Sequence, residues 1–514
     1  MDEPQGRQAK QVADLDNSST ENDRRGARLA PNTANSDDYL KILEEILQAK
    51  INSNGDPKVV YPILAQYQDR LDLTFAETLK KWFASKLDPE NSEKNKFLAI
   101  TLLNFAVDIS EFPLGSRFNN LEIAIACYEA ALKVYTRDTL PENWATTQNN
   151  LGIAYSYRIR GERAQNIEDA IACFRDSLEV YTRDAFPQDW AMSQNNLGIA
   201  YSNRIRGERS ENLENAIACY RVALEVLTHN IFPQDWAQTQ NNLGTAYLNC
   251  IRGERSENLE KAIACFQAAL EVYTRDTFPE DWAMTQNNLG EAYLNRIRGK
   301  RAENLENAVA CFRSTLEVYT RDAFPEKWAA TRANLGDALL EKFEHSHREK
   351  DIKQAIAIYR EVLDFYQQQS LIFNRHRTLY KLGKALAQIG SYSQAIQSLE
   401  EARNLLRHPD DLSLLALTFF ELARSYHRIH RVEKARLYYK DTLRLFRRLE
   451  DEDTVADVTI ALGNIELQLG QIKQAQKRLQ QAREYYQNQG NDERLQEIDR
   501  LLKLSEEPTT VLLL

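Results

Sequence analysis

Residues 186–223 read FPQDWAMSQNNLGIAYSNRIRGERSENLENAIACYRVA, and near-copies of this stretch precede and follow it. Trp144, Trp190, Trp236, Trp282 and Trp328 stand 46 residues apart, and Pro141, Pro187, Pro233, Pro279 and Pro325 keep the same step. So do Gly152, Gly198, Gly244, Gly290 and Gly336. A fixed period of this size marks a solenoid, in which each small unit buries only its neighbours' apolar faces. Function then belongs on a long repeated surface rather than in one cleft.

Each copy reads as two helices. Proline suits the first position of a helix, where its missing N–H has no partner to lose, so Phe186-Pro187 opens the first helix. Trp190, Leu197, Ala200 and Tyr201 mark its buried face, and Gly207 is expected to end it in the left-handed conformation. The second helix carries Leu213, Ala216, Ile217, Tyr220, Ala223, Leu224 and Leu227, an apolar stripe in steps of three and four. Asn212 is read as its N-cap, with Asn120, Asn166, Asn258 and Asn304 in the same place. Glycine inside a helix costs about 1 kcal/mol relative to alanine, so the repeated Gly198 position implies close backbone approach between the paired helices.

The pattern Leu197-Gly198, Tyr201, Ala216, Tyr220, Ala223 resembles the tetratricopeptide repeat, whose signature is L-G-x-x-Y followed by A-x-x-x-F-x-x-A. Three C-terminal units resemble it too, at Leu382-Gly383/Ala395, Leu422/Ala435 and Leu462-Gly463/Ala475. From Leu197 to Ala216 is 19 residues and from Leu382 to Ala395 is 13, so the long units hold six extra residues between their helices. We read RIRGERSEN as a longer first helix plus a loop. Subtracting the period exposes a degenerate first copy at Phe105, Gly115 and Ala124.

The expected architecture is all-α, a right-handed superhelical solenoid of such hairpins with an N-terminal helical cap. Residues 1–36 are polar and expected to be disordered. Residues 37–93 form the cap, 94–370 six long repeats, 371–490 three shorter ones, 491–505 a closing helix and 506–514 a tail. The long block looks like a variant found in cyanobacterial multi-repeat proteins, where the array often precedes a CHAT domain, a caspase-like cysteine protease module. No cysteine follows Cys311, so a Cys–His dyad cannot be assembled in the last third of this chain.

A column of asparagines is the candidate site. Asn150, Asn196, Asn242, Asn288 and Asn334 each precede the repeat's leucine, with Asn104 in the degenerate copy, and Asn149, Asn195, Asn241 and Asn287 stand one residue earlier. Asparagine is a poor helix former, so such a column needs a cause. It resembles the asparagine ladder of peptide-binding tetratricopeptide arrays, including the kinesin-light-chain type with its Asn-Asn-Leu segment. A carboxamide offers both donor and acceptor and can grip a peptide backbone whatever its side chains. The competing reading is that these amides bond between neighbouring repeats. In the ligand reading the column lines a concave face with Ile153, Ile199, Thr245, Glu291 and Asp337 beside it.

Other candidates are weaker. Arg158, Arg160 and Arg163 recur as Arg204, Arg206 and Arg209, then Arg252 and Arg255, then Arg296, Arg298 and Arg301. Inter-repeat ion pairing, with partners such as Glu162, Glu208, Glu211 and Glu214, is preferred to a phosphate-binding ridge. Cys127, Cys173, Cys219, Cys265 and Cys311 are one repeat position counted five times. No CxxC pair exists, so a buried thiol is expected rather than a metal or disulfide, and Cys250 reads as a neutral replacement for arginine. His427 with His430, and His345 with His347, lack a third ligand at suitable spacing. No phosphate-binding loop, nucleophile elbow or HExxH occurs.

The net charge of −10 argues against a dedicated nucleic-acid or anionic-membrane binder. No apolar run approaches the ~20 residues of a membrane span, and no secretory signal is present, so a cytoplasmic protein is expected. We expect a non-enzymatic scaffold for a protein or extended peptide, without metal or cofactor. The alternative is a regulatory or sensor subunit of a separately encoded effector such as a CHAT-type protease.

Overall fold

The computed structural model describes residues 36–53, 56–369, 372–406 and 412–506. Expectations for residues 1–35 and 507–514 lie outside the described residues. Ser36, placed in the disordered leader by the sequence, opens the first helix instead. Described residues form helices and connecting turns with no strand, and the chain divides into two compact units, 1–279 and 280–514.

In the first unit, α1 (Ser36–Asn52), α2 (Pro57–Gln66) and α3 (Leu73–Lys86) precede the hairpins. These are α4 (Ser92–Glu111) with α5 (Arg117–Ala131), α6 (Pro141–Ser156) with α7 (Arg163–Leu178), α8 (Pro187–Ser202) with α9 (Arg209–Ala223), and α10 (Pro233–Asn249) with α11 (Arg255–Ala269). Leu43, Ile46, Leu64, Phe75 and Phe83 of the first three helices share one core with Phe105 and Ile109 of α4. A buried ion pair between Lys50 and Asp108 crosses the same junction.

The second unit holds α12 (Pro279–Asn295) with α13 (Arg301–Thr315), and α14 (Pro325–Ser346) with α15 (Glu349–Gln368). The shorter pairs follow: α16 (Ile372–Gln388) with α17 (Tyr392–Leu405), α18 (Leu412–Arg428) with α19 (Val432–Arg448), and α20 (Glu452–Gln468) with α21 (Ile472–Gln489). Helix α22 (Asp492–Glu506) seats Ile498 among Leu479, Ala482 and Tyr486 of the last pair.

Proline opens the first helix of each tryptophan-bearing repeat. The glycine column has a steric cause, but a different one from close backbone approach. A Cβ on Gly198 would lie 2.6 Å from the Tyr220 ring, and on Gly152 or Gly244 it would lie 2.7 Å from Phe174 or Phe266. The second helix's aromatic ring therefore occupies the space a side chain would need. In the short repeats Gly383 and Gly463 seat Leu399 and Leu479 in the same way.

Three local expectations are corrected. Asn212 is not an N-cap. Helix α9 begins at Arg209 after Glu208, and Asn212 lies one turn inside, buried, with Nδ2 donating to the carbonyls of Arg204 (3.4 Å) and Arg206 (2.9 Å). Asn120, Asn166, Asn258 and Asn304 hold their loops likewise. Nor is the first helix longer in the Leu197 repeat, although in the sixth long repeat α14 does run on to Ser346, eleven residues beyond Leu335. Helix α8 ends five residues beyond Leu197, against six beyond Leu382 for α16. The loop is six residues instead of three, and α9 starts seven residues before Ala216 whereas α17 starts three before Ala395. Gly207, with φ of +78°, lies within that loop rather than at the helix end.

Candidate functional site

The two asparagine files differ by one residue, about 100° around the helix, and this separates their roles. Asn195 and Asn241 are buried, while Asn149 and Asn287 are half-buried. Asn150, Asn196, Asn242, Asn288 and Asn334 are all half-buried at the surface of the first helices. Within the first unit, Asn196 Nδ2 donates to Asn149 Oδ1 at 3.2 Å and Asn242 Nδ2 donates to Asn195 Oδ1 at 3.2 Å. In the second unit Asn334 makes the same bond to Asn287 at 3.5 Å. The inner asparagine of one repeat thus holds the outer asparagine of the next.

A buried hydroxyl column, not singled out from the sequence, supports the inner file. Ser193 Oγ donates to Asn149 Oδ1 at 3.3 Å and Thr331 Oγ1 to Asn287 Oδ1 at 3.4 Å. Thr147, Ser193, Thr239, Thr285 and Thr331 keep the 46-residue step, which was the available signal. The ladder starts at Asn150. In the degenerate copy Leu103 stands in the inner place and cannot accept a hydrogen bond, and Asn104 is exposed. Among the described residues Asn150 has no side-chain partner, and the Oδ1 atoms of Asn196, Asn242 and Asn334 accept no hydrogen bond. The outer carboxamides of Asn150, Asn196, Asn242 and Asn334 therefore keep unused hydrogen-bonding capacity at the surface.

The arginine clusters pair between repeats. Arg158 forks onto Glu122 at 2.7 and 2.9 Å, Arg204 onto Glu168 at 2.8 and 2.9 Å, and Arg252 reaches Glu214 at 2.6 Å. Each acceptor sits on the second helix of the preceding repeat, whereas the sequence pointed mainly to carboxylates within the loop itself. Hydrogen bonding to Arg204 holds the Glu168 carboxyl below its ordinary value. Arg163, Arg209, Arg255 and Arg301 aim instead at carbonyls in the last turn of the first helix, those of Ser156, Ser202, Leu248 and Leu294. These groups would otherwise lack partners at a helix C-terminus.

The thiols lie inside. Cys127, Cys173, Cys250 and Cys311 are buried and Cys219 and Cys265 half-buried. Burial pushes Cys219 up to about 11 and Cys173, Cys265 and Cys311 up to about 12. No cluster of metal-ligating side chains occurs among the described residues. His427 instead pairs with Gln468 at 3.0 Å. Among the described residues no helix is long and apolar enough to cross a membrane.

Residues 190–229, 236–277 and 413–488 match families described as "Tetratricopeptide repeat", and residues 278–409 match "Soluble NSF attachment protein, SNAP". No curated protein matches. Among solved structures, a signal transduction ATPase with numerous domains and a tetratricopeptide repeat sensor, from Pyrococcus horikoshii, aligns at 17% identity with a TM-score of 0.54. The alignment covers 80% of this chain and 55% of that one, so the chain spans little more than half of that protein. The apo quorum sensor NprR from B. thuringiensis aligns at 16% identity and a TM-score of 0.47, over 80% of this chain and 99% of the other.

With helix pairs packed in sequence and these family matches spread over both units, the chain is a tetratricopeptide-repeat protein of solenoid fold.

Proposed function

We propose that this protein is a binding scaffold without catalytic activity, and that the outer asparagine file grips the backbone of an extended segment of a protein partner. One observation carries the reading. Asn196 and Asn242 are each held by one amide N–H to the preceding repeat, which leaves their carboxamide oxygens half-exposed and unused. Fixing a recognition group before the ligand arrives lowers the ordering cost of binding. A carboxamide matches the alternating donors and acceptors of a peptide backbone, and helical arrays present such partners with a continuous face.

Asn150 supplies the cleanest test, because it makes no hydrogen bond that its loss would break. Partners captured from the source cell by the full chain and identified by mass spectrometry are re-measured against Asn150→Ala. Weaker binding at an unchanged melting temperature supports the reading; unchanged binding by Asn150→Ala and by Asn196→Ala together overturns it.

A further inference from the structure

The chemistry around the first-unit ladder points to the kind of segment it takes, and the inference rests on the backbone-gripping reading above. Count from the repeat leucines Leu151, Leu197 and Leu243, and take the positions five before, one before, two after and six after. Steps of four, three and four residues place these within about 60° of one another on each helix. The twelve residues so defined are all half-buried or exposed, and none of them is charged. Charged residues make up 27% of the chain and concentrate on its surface, so a neutral, partly exposed stripe of this length is a departure.

Repeat packing does not demand that neutrality. In the second unit the same offsets from Leu289, Leu335 and Leu382 carry Glu291, Asp337 and Glu341, then Arg377, Lys381 and Lys384. A first helix of this fold therefore accepts either sign of charge at these places. In the first unit they hold Asn150, Asn196 and Asn242 beside the apolar Ile153, Met192 and Ile199, all half-buried.

A ligand charge brought against such a stripe would lose water and meet no counter-charge, which is costly. An amide backbone would find donors and acceptors, and apolar side chains would find Ile153, Met192 and Ile199. We propose that the first unit selects an extended segment lacking charged side chains, with aliphatic side chains set against those three residues.

Three fluorescein-labelled dodecapeptides test this by anisotropy with the full chain. One is composed of Ser, Thr, Leu and Ile, and the other two carry Glu or Lys at every third position. The neutral peptide should bind at least about tenfold tighter than either charged one. Its affinity should stay flat between about 50 and about 500 mM salt, where screening would weaken a charge-driven contact. Ile153→Asp with Ile199→Asp should abolish the preference, and Ile153→Ser with Ile199→Ser, which adds no charge, should weaken the neutral peptide alone. Equal or tighter binding of a charged peptide, or a steep salt dependence for the neutral one, overturns the selectivity. If Asn150→Ala still weakens binding in that case, backbone gripping survives. If none of the peptides binds, or Asn150→Ala changes nothing, the failure lies in the underlying reading.

Discussion

Asn196 gives one carboxamide N–H to the carboxamide oxygen of Asn149, a full repeat earlier in the chain, at 3.2 Å. The pair turns a surface file of asparagines into a strut between repeats, and it makes the two files unequal. Removing Asn149 leaves the donors of Asn196 and Ser193 without their acceptor. A net hydrogen bond contributes about 0.5–1.5 kcal/mol, and leaving a partner unpaired adds to the loss.

Asn149→Ala should therefore cost about 1–2 kcal/mol and Asn196→Ala about 1, while Asn150→Ala should stay within about 0.5. Thermal melts of the three variants check the order. Equal losses at Asn149 and Asn150 would mean the strut carries no stability.

Gly198 lies under the ring of Tyr220, and an added Cβ would come within 2.6 Å of it. Gly198→Ala should therefore destabilise by about 1–3 kcal/mol, the usual cost of overpacking, although alanine is the better helix former. In a Tyr220→Ala background the ring is gone, and the same substitution should become neutral or favourable. A double-mutant cycle on melting data isolates the coupling between the two sites.

The 46-residue step made the helical hairpins legible, because proline, glycine and the apolar stripe each recur in phase with it. Direction was not legible. At Asn212 the sequence suggested an acceptor for the first helical amides, yet its N–H donates to loop carbonyls and its oxygen accepts from Arg204, since the helix starts at Arg209. Spacing alone cannot tell which end of a carboxamide is used. The partners of Arg158 and Arg204 were missed because Glu122 and Glu168 lie 36 residues earlier, on the previous repeat. For the asparagine column the sequence left both alternatives open; Asn196 and Asn242 do bond between repeats, and their unused oxygens are what the proposed backbone gripping rests on.

The donor role of Asn212 has a sharp consequence. An N-cap tolerates Asn→Asp, because aspartate accepts equally well. At Asn212 the same change would keep the oxygen that accepts from Arg204 Nη1 at 3.4 Å but lose the N–H that holds the loop, setting a carboxylate against the carbonyls of Arg204 and Arg206 in a buried site. Asn212→Asp should thus be more damaging than Asn212→Ala, which itself should cost about 1–3 kcal/mol through unpaired carbonyls. Melting temperatures of the two variants decide it, and a tolerated aspartate would mean that the bond from Arg204 to the Asn212 oxygen outweighs the loop carbonyls.

The Arg204–Glu168 fork gives the last test, in pH. Its carboxyl titrates below its ordinary value of 4.5, chiefly because Arg204 hydrogen-bonds the ionised form. A carboxyl depressed on folding contributes stability above its unfolded pKa, and that contribution disappears as the pH falls through the folded one. With side chains 29% and 20% exposed, the pair should be worth no more than about 1 kcal/mol. Glu168→Gln should therefore lower the melting temperature near neutrality, and its gap to the parent should close as the solution is taken below pH 4.5. At the next repeat Cys250 replaces the arginine, and Arg252 reaches Glu214 across a more open surface, with side chains 56% and 45% exposed. Water screens that pair more strongly, so Glu214→Gln should show a smaller gap near neutrality. A larger gap for Glu214→Gln than for Glu168→Gln would reverse the assignment of the stronger inter-repeat bridge.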